Sequence, residues 1–375
     1  MDNTQPPARP ARSSPTAETK PLGRVSIKVL GLGGGGCNAV NRMIELGVTG
    51  VDFIAANTDR QALASSLAPV RLQLGPRVTR GLGAGGNPRT GAAAAMESSR
   101  EIALALRGAD MVFLTAGMGG GTGTGSAAVA AEIARELGSV VVAVVTTPFS
   151  FEMSRRGKNA IDGIRLLRPH THTLITVPND RLLQIVPEDI SLEVAFRLAD
   201  DVLRQGVQGI AELVTRPGLI NVDFAHVRQM IARGGGSLMA IGMGEGEDKA
   251  GLAAYQALHH PLLEIDSLEQ ASGVLVHFTG GEDLTLYEVS EAVTQLRETL
   301  PPEVELILGA TTDPSMEGRV QVILIVTGLG GHPVQAEATQ EPVPAQVSVE
   351  GPAPTIDTSN LDLPTFLRRR LMVGQ

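Results

Sequence analysis

Twice in this chain an apolar run leads straight into a cluster of glycines and then into a helical pattern. The first junction is Val25-Ser26-Ile27-Lys28-Val29-Leu30, then Gly31-Leu32-Gly33-Gly34-Gly35-Gly36, then an amphipathic pattern over 38–46. The second is Met111-Val112-Phe113-Leu114-Thr115, then Ala116-Gly117-Met118-Gly119-Gly120-Gly121-Thr122-Gly123-Thr124-Gly125, then a helical pattern over 126–137. Glycine lets the backbone take positive φ and approach a phosphate closely. The following helix offers unpaired N–H groups and the positive end of its dipole. Each junction therefore reads as a phosphate cradle.

Taken alone, the first loop satisfies G-x-G-x-x-G, and Asp59 lies where a dinucleotide-binding fold places its ribose acid. That favours a nicotinamide dehydrogenase, or a tight turn with no ligand. The second loop shifts the balance to a nucleoside triphosphate, whose charge requires donors from several sides. Thr122 and Thr124 add hydroxyls among its backbone N–H groups. No Lys follows either loop, so the Walker pattern is absent. A third glycine segment, 81–88, either closes over the terminal phosphate or is an ordinary surface loop.

Further strands are expected at 51–56 and 140–145. The latter is apolar throughout, as a strand buried on both faces should be. Strand–helix alternation argues a parallel, doubly wound sheet. A helical pattern over 191–215 repeats Leu192, Phe196, Ala199, Leu203, Ile210 and Leu213 on one face and stops at Arg216-Pro217-Gly218. Such a helix is roughly 35–40 Å long, enough to join two domains. A second α/β segment follows, with strands expected at 237–241, 273–278, 304–308 and 321–326. Residues 1–23 read as a disordered arm, and 328–357 have linker composition. The tail is apolar and then basic. It is either a peptide that docks on a partner or a terminal scrap that packs nowhere.

Composition adds exclusions. With aromatics at 3% and no Trp, the cores must be aliphatic. A net charge of −9 speaks against sequence-independent binding to nucleic acid. The single Cys37 rules out an intramolecular disulfide and fits a reducing compartment. No apolar run approaches the roughly 18 residues of a membrane span, and the N-terminus lacks the apolar core of a signal peptide. A cytoplasmic protein with no direct membrane span is expected.

The string Gly119-Gly120-Gly121-Thr122-Gly123-Thr124-Gly125 resembles the tubulin signature, and the chain resembles the FtsZ family, the bacterial tubulin homologues of cell division. The resemblance covers about 25–327 and the C-terminal peptide. Asn57-Thr58-Asp59, the 81–88 loop, Pro148-Phe149-Ser150-Phe151-Glu152, Thr215-Arg216-Pro217-Gly218 and Asn221-Val222-Asp223-Phe224-Ala225 stand in the family's order. It implies a Rossmann-like parallel-sheet GTP-binding domain (24–190), a central helix (191–215) and a smaller C-terminal α/β domain (216–327). Beyond these come the linker (328–357) and a partner-binding peptide (358–375). It further implies a cytoplasmic GTPase that binds GTP or GDP and forms head-to-tail filaments in the mid-cell division ring. Mg²⁺ would be held mainly by the phosphates.

The same resemblance assigns residues. Gly34, Gly35, Gly36, Cys37 and Asn38 would cradle phosphates together with Gly120, Gly121, Thr122, Gly123 and Thr124. Asn57, Gly85, Gly86 and Asn87 complete the nucleotide set. Glu152 and Arg156 would sit at the ribose and phosphates. Phe196 would stack on the base, its alternative being a core residue of the helix. Asp201, beside Asp200, would accept from the guanine N1 and N2 groups, its alternative being a solvated helix face. Asn221, Asp223 and position 226 would enter the nucleotide site of the next subunit and drive hydrolysis there. Leu363, Pro364, Phe366, Leu367 and Arg368 match the family's tail, which docks on membrane-tethering division proteins such as the actin-like FtsA.

Departures from the family pattern set further expectations. His226 stands where the pattern Asn-x-Asp-x-x-Asp has its last Asp. Neutral imidazole can accept a proton but gives a hard cation no oxygen ligand. Slower turnover is expected, unless water and Asp223 suffice. A decayed paralogue acting as a structural or regulatory co-polymer is the near alternative, and a Rossmann-type oxidoreductase the distant one. Asp200 replaces a common Asn, which could weaken nucleotide affinity modestly. Gly86 replaces a usual Ala, which should loosen its loop. The linker is short: about 27 flexible residues span roughly 30 Å.

Overall fold

Burial on both faces marks the central strands. Val140–Thr147 is buried at all but its last residue, as is Met111–Gly117. Such strands need helices on both sides of the sheet. The computed structural model of the chain describes residues 25–329, apart from 185, 187–188, 216–218, 221–222, 233–235 and 264–270. The N-terminal arm, most of the linker and the tail peptide (Leu363, Pro364, Phe366, Leu367, Arg368) lie outside the described residues, as does Asn221.

In chain order the strands are Ile27–Leu32 (β1), Asp52–Asn57 (β2), Val70–Gln73 (β3), Met111–Gly117 (β4), Val140–Thr147 (β5), Thr173–Pro178 (β6), Gly236–Glu245 (β7), Gly273–Gly280 (β8), Glu305–Thr312 (β9) and Arg319–Leu329 (β10). They form one sheet in the order β3-β2-β1-β4-β5-β6-β7-β10-β8-β9. From β3 to β6 every pairing is parallel. Among the described residues β7 joins β6 through two residue pairs, Leu174 with Gly236 and Ile175 with Ser237. Beyond that seam β10 runs antiparallel to β7 and β8, and β9 runs parallel to β8.

The helices are Gly33–Glu45 (α1), Arg60–Ala64 (α2), Pro88–Glu97 (α3), Ser99–Leu106 (α4), Thr122–Glu136 (α5), Ser154–Leu167 (α6), Asn179–Leu182 (α7), Leu192–Thr215 (α8), Phe224–Ala232 (α9), Lys249–Leu258 (α10) and Leu286–Thr299 (α11). Local chemistry sets several starts. Asn87 caps α3, with Pro88 at the first helical position. Thr285 and Glu288 form a reciprocal capping box at α11. One face of the parallel sheet packs on α1, α8 and α9 through Val40, Met43, Val207, Ile210 and Met230. The other packs on α3 to α6 through Ala94, Ile102, Ala130 and Leu167. A third core joins α10 and α11 to β7, β8 and β10. Among the described residues no helix is long and apolar enough to cross a membrane.

The glycine clusters behave differently from a loop reading. α1 begins at Gly33, inside the first cluster, and α5 begins at Thr122, inside the second. The first cluster is thus largely the first turn of α1, whereas in the second Gly117 ends β4, residues 118–121 form a turn and 122–125 open α5. The reason is steric. A Cβ on Gly36 would collide with the Thr115 carbonyl, and one on Gly33 would stand 2.7 Å from the Gly123 nitrogen. Only glycine lets these two helix starts press against each other and the sheet. Asp59, placed by spacing at a ribose, instead caps α2 by accepting from the Gln61 and Ala62 nitrogens at 2.8 and 3.2 Å.

Candidate functional site

β1, β4, β5 and β6 all run parallel, so their C-terminal ends share one edge of the sheet. Ligands of open α/β sheets bind at that edge. A cleft of about 380 Å³ opens there. Gly34, Gly35 and Asn38 of α1 line it, as do Gly120, Gly121, Thr122 and Gly123 at the start of α5. Two helix N-termini, each with its unpaired N–H groups, therefore face one cavity. Thr122 is fixed by a hydrogen bond with the Thr58 hydroxyl.

The remaining wall comes from the loop after β5 and from α8. Glu152 accepts from its own Arg156, and both side chains line the cleft. Met153, between them, holds φ at 79°, an uncommon backbone for a non-glycine residue. Phe196 packs edge-on against buried Phe149, ring centroids 5.5 Å apart, and keeps 38% of its surface exposed toward the cleft. It is both a packing residue and a free aromatic face.

The two acids of α8 part company. Asp200 lines the cleft. Burial pushes its carboxyl up to about 7; Arg42 on α1 pulls it down and the Asp201 charge pushes it up. Asp201 does not line the cleft. Its carboxylate accepts from Arg204 Nε at 2.7 Å and from Gln205. Burial pushes Asp201 up, but those hydrogen bonds and the charges of Arg204 and Arg42 outweigh it and hold the group below its usual value. The adjacent pair thus carries one firm negative charge, on Asp201.

Other sequence-derived candidates stand behind or beside the cleft. Gly36 is buried in the α1–β4 contact. Cys37 is buried with its thiol toward the Gly31 and Ala56 carbonyls, and burial pushes it up to about 12. Asn57 is buried and accepts from the Asp59 nitrogen at 3.2 Å. Thr124 is buried too, its hydroxyl accepting from Gly119 N at 2.8 Å. Gly85 and Gly86 are exposed with φ of 58° and 69°. Glycine at 86 therefore suits the backbone that the loop adopts. Asn87 is spent on the α3 cap.

Asp223 and His226 are exposed at the start of α9, and neither lines the cleft. Asp223 Oδ1 accepts from the Ala225 nitrogen at 2.9 Å. They follow α8, whose first turns border the cleft and whose 24 residues span roughly 36 Å.

Sequence reasoning missed Asn179, Thr146 and Pro148, which also line the cleft. Asn179 is 5% exposed and its Oδ1 has no hydrogen-bond partner among the described residues. A buried acceptor of this kind fits a polar ligand. The signal was available: Asn179 directly follows β6, and recognising β6 as a parallel strand puts its C-terminal end at the cleft. Among the described residues no group of three or more His, Cys, Asp or Glu could hold a metal ion.

The fold and cleft define a tubulin-like α/β protein that presents two helix N-termini to one cavity, without a Walker loop. A model of the tubulin/FtsZ family GTPase domain matches residues 26–187, and a model of the FtsZ family C-terminal domain matches 235–330. The empty FtsZ dimer of M. jannaschii is 45% identical with a TM-score of 0.78, covering 83% of this chain and 89% of that one. The chain belongs to the tubulin/FtsZ family of GTP-binding GTPases, on its FtsZ branch. More distant structures share the fold alone. CetZ2 from Haloferax volcanii, a GTPγS-bound protofilament, is 20% identical with a TM-score of 0.69, covering 81% of this chain and 93% of that one. CetZ1 from the same organism, a GDP-bound monomer, is also 20% identical, with a TM-score of 0.71, covering 82% and 96%.

Proposed function

We propose that the chain binds GTP in the cleft, assembles head to tail, and hydrolyses GTP at the junction between successive copies. The observation that carries this reading is the separation of Asp223 and His226 from the cleft by the length of α8. A second copy stacked with its α9 end over the cleft completes the site. The α1 and α5 N-termini hold the phosphates, and Arg156 adds charge beside them. Phe196 offers a stacking face. Asp200, rather than the engaged Asp201, presents acceptors to the guanine N1 and N2 donors, and Asn179 offers a further polar group. Asp223 of the stacked copy orients the attacking water, and the His226 imidazole offers a proton acceptor. A cation such as Mg²⁺ would be held mainly by the phosphate oxygens, and Asp223 of the stacked copy could add a carboxylate oxygen.

On the same reading, 24–190 is the GTP-binding domain, 191–215 the connecting helix and 216–327 the domain that supplies Asp223. Turnover is slowed by His226. The assembly is the cytoplasmic division ring at mid-cell, and the tail peptide carrying Leu363, Phe366 and Arg368 binds tethering proteins such as FtsA. The 45% identical FtsZ of M. jannaschii has been solved as a dimer, which accords with contact between copies.

Complementation tests the trans arrangement. One variant, Asp223→Ala, keeps the cleft; another, Gly121→Val, distorts it, because a Cβ there would stand 2.8 Å from the Asn87 nitrogen and push the α5 start that lines the cleft out of place. Each alone should release little phosphate from GTP. Mixed, they should recover a substantial part of wild-type turnover per competent junction. A mixture no faster than its parts would exclude donation between copies.

A further inference from the structure

A second cavity, larger than the cleft, shares none of its lining residues. It has a volume of about 640 Å³ and lies among α3, α5 and α6. α3 and α6 each pack tightly on α5. A Cβ on Gly125 would stand 2.6 Å from the Ala92 nitrogen of α3, and one on Gly163 of α6 would collide with the Thr124 side chain of α5. The two outer helices therefore rest on a common floor with a groove between them. Its volume lies in the range of small-molecule pockets.

The walls combine apolar surface with unspent charge. Met96 and Leu166 line the groove and are 63% and 61% exposed, and Val129 stands on the floor. Exposed large apolar side chains that converge on one concavity mark a binding surface. Arg89 and Lys158 also line it, and neither side chain makes a hydrogen bond or ion pair with any described residue. They share one end. Asn159, next to Lys158, donates to the Gly86 carbonyl at 3.3 Å, and Gly86 lies three residues before Arg89. Arg89 is also in the first turn of α3, where the helix dipole already favours an anion. The acids lie further along. Asp162 is paired with Arg165 at 3.1 Å. Glu132 is seven residues beyond Gly125, about 10 Å along α5. The groove thus has a cationic end and an apolar middle.

We propose that this groove binds a small amphiphilic anion, a carboxylate or phosphate monoester on an apolar body. The charge sits between Arg89 and Lys158, and the body lies along Met96, Val129 and Leu166. Charge complementarity selects the head, and the exposed apolar wall selects the tail. This site does not depend on the reading of the nucleotide cleft.

Calorimetric titration of the full chain, saturated with GDP, tests it. The probes are decanoate, monodecyl phosphate and decanol, each below micellar concentration. Both anions should bind saturably at one site per chain, and neutral decanol at least tenfold more weakly. The double variant Arg89→Gln with Lys158→Gln alters only exposed, unpaired side chains. It should weaken both anions tenfold or more and leave GDP affinity unchanged. Met96→Gln should weaken all three probes. Absence of saturable anion binding, equal binding of decanol, or indifference to the double variant would overturn the proposal. So would decanoate binding seen only in nucleotide-free protein and lost on GDP saturation, which would put the anion in the cleft.

Discussion

At position 226 one side chain separates two chemistries. A carboxylate three residues after Asp223 would give the helix start two negative groups on one side. His226 keeps a proton acceptor and removes a hard oxygen ligand. Acid–base groups contribute about 10²–10⁴-fold, so a partial replacement that keeps an acceptor should recover less. His226→Asp is expected to raise GTP turnover per assembled subunit about tenfold to a hundredfold, read as phosphate release above the assembly threshold. Unchanged turnover would mean that water and Asp223 suffice. Asp200 sets a second dependence. A carboxylate must be ionised to accept from two guanine donors, and burial, with Arg42 and Asp201 facing it, holds Asp200 at about 7. The folded protein binds this proton more tightly than the unfolded chain does. The group therefore favours folding below its unfolded value near 3.9, and that contribution is lost as pH rises through 7. In the proposed guanine contact, nucleotide binding runs the opposite way, because it needs the proton gone. GDP affinity should fall as pH drops below 7, by at most about tenfold per unit for one proton. Asp200→Asn should bind more weakly and lose that slope, as measured by calorimetry between pH 5.5 and 8. A slope that survived in Asp200→Asn would assign it to another group.

Elements were more legible than contacts. The apolar runs at β4, β5, β8 and β10, and the long stripe of α8, could be read because each buries a face with a fixed period. β3 and β6 escaped. β3 has four residues and none of them is buried, so it carries no apolar signature. β6, Thr-Leu-Ile-Thr-Val-Pro, looks half polar because two threonines pack inside or beside the core. Missing β6 also hid Asn179. The glycine clusters were legible as cradles, but their division into strand end and helix start was not. That depends on backbone of one cluster pressing on the other, Gly33 against Gly123 and Gly35 against Gly117, which no local pattern encodes. The same holds for the acids of α8. Sequence put the base contact on Asp201, whereas Asp200 shares the cleft-facing side of the helix with Phe196, one turn earlier. Which acid is free is decided by Arg204 and Gln205 on the next turn.

Charge is unevenly divided along the whole molecule. Residues 25–190 carry sixteen Lys or Arg against thirteen Asp or Glu, while residues 219–329 carry five against sixteen. The nucleotide-binding half is slightly positive and the half bearing Asp223 strongly negative. Two effects then compete when copies meet. The net charge of −9 repels at long range, and the unlike halves attract at short range. The Debye length decides between them. At 0.1 M salt it is about 10 Å, well below the roughly 36 Å of α8, so each copy feels mainly the half it faces. At 0.01 M it is about 30 Å, and the whole-molecule repulsion enters. Head-to-tail approach, positive half onto negative half, should therefore be fastest near 0.1 M. It should slow severalfold by 0.5 M, where steering is screened, and also slow toward 0.01 M. Stopped-flow light scattering with GTP across that range reads the association rate, and GDP titrations at the same salts correct for nucleotide occupancy. A rate that rose steadily with salt would show that net repulsion governs encounter and that the charge polarity has no steering role.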